Sequence, residues 1–230
     1  MGIKELKEMC CQANLELARR GLVVYTWGNV SQLDRERGIF VIKPSGVPYE
    51  ELTGEMMVAV DVETGKTLED RYKPSSDTPT HVELYRAFEG IGGVTHTHSP
   101  SATAWAQACR SIPCLGTTHA DYFHGDVPVT RHLTKEEAEE AYEKNTGKVI
   151  VETFRGRNPV HTPAVLCAGH GPFTWGKDAA QSVYHAVVLE EVAKMAMWTY
   201  AVNAGAESLP QYVADKHFLR KHGPNAYYGQ

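Results

Sequence analysis

The stretch Gly93-Val94-Thr95-His96-Thr97-His98 predicts a short β-strand that ends in two histidines. Successive side chains of a strand point to opposite faces of a sheet, so we expect the imidazoles of His96 and His98 on the same face. Two imidazoles at this spacing can hold one metal ion, although a His-X-His pattern alone is a weak signal. The rest of the chain therefore has to supply further ligands and a reaction.

A third histidine has the setting that a ligand needs. His170 lies between Gly169 and Gly171, and this pair of glycines permits a tight turn with close backbone approach. Asp77, directly before a predicted helix, can add a carboxylate oxygen. Three imidazoles and a carboxylate suit Zn²⁺, and also Mn²⁺ or Co²⁺. An open or displaceable coordination position would make the site catalytic, whereas a closed shell would make it structural.

Short clusters of serine and glycine offer a second kind of site. They are Gly28-Asn29, Lys43-Pro44-Ser45-Gly46 and Ser75-Ser76. Their hydroxyls and free backbone N–H groups can bind an anion, and Lys43 can add charge, but each cluster alone is equally compatible with an ordinary turn. Ser75-Ser76 differs because it adjoins Asp77. A small phosphorylated substrate could therefore be anchored there at one end and chelated at the other.

Helical and strand patterns alternate along the chain. The predicted strands are 29–34, 39–43, 56–61, 93–98, 164–168 and 172–175. The predicted helices are 3–20, 79–90 with Thr78 as its N-cap, one that opens at Ser99-Pro100, 135–145 after a capping box at Thr134, 179–203 after the N-cap Asp178, and 211–222. No linker or repeat divides them, so we predict one α/β domain with helices on both faces of a sheet. Periodicity does not give the strand order.

Composition excludes several classes of function. The 230 residues carry a net charge of −5 without a long basic block, so nucleic-acid binding is not expected. No apolar run approaches the length of a membrane span, and the first residues lack the apolar core of a secretory signal. The five cysteines form no Cys-X-X-Cys pair, which indicates reduced thiols in a cytoplasmic protein without a membrane partner.

Several motifs in one order resemble the class II aldolase/epimerase family over essentially the whole chain. The segments that carry the resemblance are Thr26-Trp-Gly-Asn-Val-Ser31, Lys43-Pro-Ser-Gly46, Pro74-Ser-Ser-Asp-Thr-Pro-Thr-His81, His96-Thr-His98, Thr117-Thr-His-Ala-Asp121, Ala168-Gly-His-Gly171, and Lys221-His-Gly with Tyr227-Tyr-Gly-Gln230. The resemblance implies a three-layer α/β/α sandwich with a central, mostly antiparallel mixed sheet. It also implies a single domain over residues 1–230, whose C-terminal tail from about 206 reaches a subunit interface.

The resemblance further implies a role for each site residue. The metal is zinc, and its ligands are His96, His98 and His170 with Asp77. The phosphate contacts are Ser45, Gly46, Ser75 and Ser76, with Asn29 and Lys43 nearby. The acid/base residues are Asp121 and Tyr228, and Tyr228 comes from the neighbouring subunit of a homotetramer with C4 symmetry.

The activity that the resemblance implies is epimerisation of L-ribulose 5-phosphate to D-xylulose 5-phosphate by cleavage and re-formation of a carbon–carbon bond. An aldolase that releases dihydroxyacetone phosphate and an aldehyde remains an alternative. In related aldolases a glutamate base stands where this chain has Asp77, and the shorter side chain favours the epimerase. A non-catalytic, zinc-stabilised assembly protein also remains open. A metallohydrolase is disfavoured because the chain has no His-Glu-X-X-His motif.

Overall fold

The computed structural model describes residues 2–68, 71–224, 226 and 227. Within these residues the chain forms six β-strands, seven α-helices and two short 3₁₀ turns. The strands are β1 (Asn29–Asp34), β2 (Ile39–Ile42), β3 (Val58–Asp61), β4 (Gly93–His96), β5 (Ala164–Leu166) and β6 (Pro172–Gly176). The helices are α1 (Ile3–Arg19), α2 (Thr78–Ala87), α3 (Pro100–Gln107), α4 (Thr117–Ala120), α5 (Lys135–Thr153), α6 (Ala179–Val202) and α7 (Gln211–His222).

The strands form one open sheet in the order β3-β2-β1-β4-β6-β5. Every ladder between these strands is antiparallel. In the described part of the chain, parallel pairing is limited to an isolated bridge between Val129 and Leu166. The prediction of a mostly antiparallel sheet between layers of helices is thus confirmed, and its parallel component reduces to this bridge.

Alternating side chains divide the sheet into two apolar faces. Phe40 and Ile42 of β2 belong to the cluster that includes Tyr85 of α2 and Ile150 of α5. Val41, between them, packs instead with residues of α1 on the opposite face. Helix α6 covers the same face as α1, where it lies on β4 and β6. Helix α6 also contacts α1 and α3, whereas Met195, Trp198 and Val202 in its second half are exposed.

Strand β4 is shorter than the predicted strand 93–98, and His98 lies beyond its end. The neighbouring strand β6 begins at Pro172, whose ring nitrogen has no hydrogen to donate to the ladder. The carbonyl of Pro172 still accepts a hydrogen bond from the Thr97 N–H at 3.3 Å. The chain then turns into α3 at Pro100, so His98 reaches the site from a loop rather than from a strand.

The start of α2 also differs from the sequence prediction. The N-cap is Asp77 rather than Thr78, and the Asp77 side chain makes no capping hydrogen bond. The hydroxyl of Thr78 donates instead to the carbonyl of Ser75 at 2.6 Å. The carboxylate at the start of α2 is therefore turned away from its own helix.

Helix α5 is longer than predicted and is interrupted. Its capping box at Thr134 is confirmed, but the helix continues to Thr153 and contains a non-helical residue, Ala141, at φ −160° and ψ 73°. The prediction of an end near residue 145 was wrong, and Gly147 lies inside the helix. A Cβ at Gly147 would lie 2.7 Å from the Cβ of Glu83, so the glycine lets α5 approach α2.

The close approach of α6 to β4 gives a first prediction. A Cβ at Gly93 would lie 2.3 Å from the backbone of Asp178 and Ala179, so Gly93→Ala should force the helix away from the sheet. We expect the free energy of unfolding to fall by roughly 2 to 3 kcal/mol, as for other overpacked cores. Urea denaturation measures it, with Gly116→Ala as the control because nothing lies within 4 Å of that position. Equal stability of both variants would contradict this packing.

Candidate active site

Three imidazoles converge beyond the end of β4. Ring nitrogens of His96, His98 and His170 all lie within 4.8 Å of one another. The three ring centroids are 4.8 to 4.9 Å apart. His96 is buried, His170 is half-buried and His98 is exposed, so the group opens to the surface on the side of His98.

The ring of His96 is fixed in the orientation that a metal ligand needs. Its Nδ1 lies 2.9 Å from the carbonyl oxygen of Pro172. A carbonyl only accepts, so Nδ1 carries a hydrogen, and Nε2 is the ring nitrogen left for a metal ion. The ring also stacks on Phe173 at 4.2 Å between centroids. Support of this kind, where the second nitrogen of a ligating histidine donates to a carbonyl, is usual in metal sites.

His170 comes from the turn between β5 and β6. Gly169 has φ +72°, and a Cβ at Gly171 would lie 2.8 Å from the carbonyl of Thr97. These glycines therefore allow the turn to approach the loop that carries His98. Burial, followed by the influence of His96 and His98, lowers the pKa of His170 to about 4. The ring is neutral at pH 7, and its buried Nδ1 has no hydrogen-bond partner among the described residues.

The carboxylate of Asp77 lines the same cavity but is not one of the three closely grouped ligands. Its Oδ2 accepts a hydrogen bond from Nδ2 of Asn29 at 2.7 Å. Burial alone would raise the pKa of Asp77, but the influence of His96 and His81 and the bond from Asn29 outweigh it and lower the pKa. The Asp77 carboxylate is thus an anion at pH 7. Three imidazoles beside a fixed carboxylate fit a divalent cation such as Zn²⁺.

The two serine clusters, residues 43–46 and Ser75-Ser76, lie side by side on the wall of the same cavity, which has a volume of about 540 Å³. A bridge between Pro44 and Pro74 joins the two segments. The N–H of Ser45 donates to the carbonyl of Lys73 at 2.9 Å, and the N–H of Ser75 donates to the carbonyl of Lys43 at 3.0 Å. The sequence analysis expected free backbone N–H groups in these clusters. These two N–H groups are already hydrogen-bonded and are not free to bind an anion. The serine hydroxyls, Gly46 and Ser76 remain on the cavity wall.

Lys43 is the cation of this region. Its side chain is only 1% exposed, and Nζ donates to the carbonyl of Val47 at 2.7 Å. The ammonium also lies 4.8 Å from the centre of the Tyr49 ring. Burial lowers its pKa to about 8. At pH 7 the ammonium group is therefore still charged, beside the two serine clusters.

Asn29 joins the imidazole side of the cavity to the serine side. It is the first residue of β1 and lies opposite His96 in the sheet register. Its Nδ2 donates to Oγ of Ser75 at 3.0 Å as well as to Asp77. Its Oδ1 is buried without a hydrogen-bond partner in the described structure. This acceptor is available to a hydroxyl group in the cavity.

The structure therefore brings ten predicted site residues to one cavity. They are Asn29, Lys43, Ser45, Gly46, Ser75, Ser76, Asp77, His96, His98 and His170. It adds Tyr142 and Glu143, which the sequence analysis missed. Both follow the break at Ala141, and no local sequence signal distinguishes them from other residues of a charged helix. Trp27 lies within a recognised motif but had no assigned role.

Asp121 is not among the residues that line this cavity. Its carboxylate binds Nη2 of Arg220 and Nδ1 of His217, each at 3.0 Å, and lies 3.8 Å from Nζ of Lys221. Burial favours a higher pKa for Asp121, but the hydrogen bonds from Arg220 and His217 and the charge of Lys221 outweigh it and lower the pKa. Asp121 thus fastens α7 to α4. Tyr228 lies outside the described residues, so its predicted role stays a prediction.

Comparison with known proteins agrees with this fold. Residues 8–197 match the family described as the class II aldolase and adducin N-terminal domain. The match spans most of the chain, and the protein therefore belongs to this family. Among the described residues we find no helix with the length and hydrophobicity that crossing a bilayer requires.

Solved structures extend the comparison. The chain is similar to an L-fuculose 1-phosphate aldolase, with 26% identity, a TM-score of 0.76, and coverage of 93% of this chain and 94% of that one. It is also similar to YgbL from Klebsiella pneumoniae, named as a candidate aldolase, epimerase or decarboxylase, with 24% identity, a TM-score of 0.73, and coverage of 94% and 99%. L-fuculose-1-phosphate aldolase from Thermus thermophilus shares the fold at 24% identity and a TM-score of 0.67, with coverage of 89% and 98%.

The imidazole group gives a second prediction. His96→Asn should lower zinc affinity by more than about 100-fold, because loss of a ligand exceeds the effect of losing its supporting partner. Elemental analysis after dialysis against a weak chelator measures bound zinc. His132→Asn is the matched control, since this exposed histidine contacts Cys109 outside the group. One zinc per chain retained by His96→Asn would contradict the assignment.

The depressed pKa of Lys43 gives a third prediction. Phosphate esters remain dianions above their second pKa of about 6, whereas the Lys43 ammonium group loses its charge as pH rises through about 8. Affinity for a simple phosphate monoester should therefore fall by up to about tenfold per pH unit above this pKa. Lys43→Met should bind the same ester weakly, and its affinity should change little between about pH 7 and about pH 9. A wild-type affinity that is constant across this range would remove Lys43 from the anion site.

Proposed function

We propose that the protein is a divalent-metal-dependent L-ribulose-5-phosphate 4-epimerase. The proposal rests on one observation: a single cavity holds the three imidazoles and Ser75, and Asn29 connects them. Asn29 lies opposite His96 in the sheet and donates a hydrogen bond to Ser75. Its volume of about 540 Å³ is in the range of small-molecule sites. A phosphorylated ketopentose could be anchored by its phosphate beside Lys43, Ser45 and Ser75, and present its carbonyl end to the imidazoles.

The proposed reaction inverts carbon 4 without removing its hydrogen. The bond between carbons 3 and 4 opens, its electron pair passes toward the carbon 2 carbonyl, and carbon 4 becomes the aldehyde carbon of glycolaldehyde phosphate. Rotation presents the other face of this aldehyde, and re-forming the bond gives D-xylulose 5-phosphate. A bound divalent cation would supply Lewis-acid stabilisation of the negative charge that develops on the substrate oxygens.

Residues of the chain would bind the phosphate, hold the metal ion and transfer protons. The serine hydroxyls and Lys43 would hold the phosphate so that the aldehyde fragment stays in the cavity while it turns. Asp77 is an anion held by the hydrogen bond from Asn29 and lines the cavity beside the imidazoles, so it suits the role of a ligand. Inversion requires one group that removes the proton of the carbon 4 hydroxyl and a second group on the opposite side that returns a proton. We assign these roles to Asp121 and Tyr228.

The position of Asp121 supports an active site shared between subunits. Its carboxylate lies beside α7, apart from the cavity of its own chain. If it acts on a substrate, it does so at the cavity of a neighbouring subunit. The same α7 leads into the segment that contains Tyr228. We therefore propose that the chain from about residue 206 reaches a neighbouring cavity, within a homotetramer of C4 symmetry.

An aldolase is the second candidate, because a protein named L-fuculose 1-phosphate aldolase matches most of the chain at 26% identity. The two candidates differ in whether the aldehyde fragment is released. Zinc-reconstituted protein with L-ribulose 5-phosphate should yield D-xylulose 5-phosphate without accumulation of free fragments. Net cleavage of a sugar phosphate would favour the aldolase. Absence of turnover in a zinc-loaded protein would favour a structural metal site.

The acid/base assignment gives a fourth prediction. Tyr228→Phe removes a phenolic proton donor, so turnover should fall by about 10²- to 10⁴-fold, the usual contribution of general acid–base catalysis. Zinc content and oligomeric state should not change. Tyr227→Phe is the matched control, because it removes the neighbouring phenol in the same segment. Equal turnover of the two variants would exclude Tyr228 from the mechanism.

A further inference from the structure

Trp27 stands at the open side of the imidazole group. Its side chain is 54% exposed, and its ring centroid lies 6.0 Å from that of His98. His98 is the exposed member of the group. The indole therefore forms a wall beside the imidazole that is most open to solvent.

The backbone of Trp27 is held firmly although its ring is exposed. The hydroxyl of buried Tyr49 donates to the carbonyls of Trp27 and Gly28 at 2.9 and 3.0 Å. Gly28 has φ +75°, and a Cβ there would lie 2.8 Å from the carbonyl of His96. The loop is thus fitted against β4 at the level of the metal-ligand candidates. A fixed backbone that presents a large apolar ring to the cavity indicates a contact surface rather than a loose loop.

The rest of the cavity is mainly polar. Its described lining consists of hydroxyl, amide, imidazole, carboxylate and ammonium groups, together with glycine and proline, apart from the rings of Trp27 and Tyr142. Whereas Trp27 lies beside His98, Tyr142 lies beside His170, with the two ring centroids 6.0 Å apart. Two aromatic rings therefore flank the imidazole group. Of these, Trp27 lacks a hydroxyl and offers the larger apolar face.

We propose that Trp27 is a substrate-contacting residue that determines specificity, and that its ring packs on the C–H face of the phosphosugar carbon chain. This inference rests on the proposed function, since it names the part of the substrate that the wall contacts. A sugar carbon chain combines C–H groups with hydroxyls, and the C–H groups gain by leaving water against an aromatic face. Inorganic phosphate has no such groups and binds at the serine side, so its affinity is independent of this contact.

Tryptophan emission tests the contact without an activity assay. Trp105 and Trp175 are buried, whereas Trp198, at 66% exposure, lines a different cavity on α6. The probe is L-ribulose 5-phosphate added to zinc-reconstituted protein, with inorganic phosphate as the anion control. The sugar phosphate should change the emission of wild type and of Trp198→Phe, in which Trp27 is the exposed tryptophan. It should leave the emission of Trp27→Phe unchanged, although this variant retains an aromatic wall and still binds the sugar.

Binding measurements by ultrafiltration then define the role of the ring. Trp27→Ala should lose about tenfold in affinity for L-ribulose 5-phosphate, a modest effect expected for one aromatic contact. Its affinity for inorganic phosphate should equal that of wild type. Trp27→Phe should recover most of the affinity for the sugar phosphate, and it keeps the test valid if the alanine variant does not fold.

Three outcomes would overturn the inference. An undiminished emission change in Trp27→Phe would place the responding tryptophan elsewhere. Equal losses for the sugar phosphate and for inorganic phosphate in Trp27→Ala would show that the ring only supports the loop. Failure of the wild-type protein to bind L-ribulose 5-phosphate would refute the proposed function and this inference together, whereas binding without any contribution of Trp27 would refute the inference alone.

Discussion

The site depends on the antiparallel register between β1 and β4, which places Asn29 opposite His96. A slip of one residue would move His96 to the face covered by α1 and α6. In the observed register His96 lies on the face of α2 and α5, beside Asp77 at the start of α2 and Tyr142 in α5. The pairing of β4 with β6 sets Phe173 against the imidazole of His96. One sheet register thus collects groups from distant parts of the sequence.

The cavity separates two kinds of charge. The three imidazoles and the Asp77 carboxylate lie at one side and suit a cation, while Lys43 and the serine hydroxyls lie at the other and suit an anion. Asn29 contacts both sides and therefore fixes their spacing. A molecule with a phosphate at one end and vicinal oxygens at the other matches this arrangement. This match is the physical basis for proposing a phosphosugar as substrate.

The sequence predicted most of the local elements, because caps, glycine turns and apolar periodicity act over a few residues. It also singled out three histidines that the structure brings together. The capping box at Thr134 and the cap at Asp178 are examples that the structure confirms. The strand order and the place of Tyr142 could not be predicted, since they depend on long-range packing and on the break at Ala141. The hydrogen bonds of Ser45 and Ser75 within the Pro44–Pro74 bridge likewise come from contacts between separate segments. The contacts of Asp121 with Arg220 and His217 were missed because α7 is remote in sequence.

The most direct test of the account is anomalous X-ray diffraction at the zinc absorption edge from crystals grown with zinc. The account predicts one strong anomalous peak per chain, within coordination distance of His96, His98 and His170, with the Asp77 carboxylate facing it. Absence of a peak there, or a peak bound only by other residues, would contradict the assignment of this cavity as a metal-dependent active site.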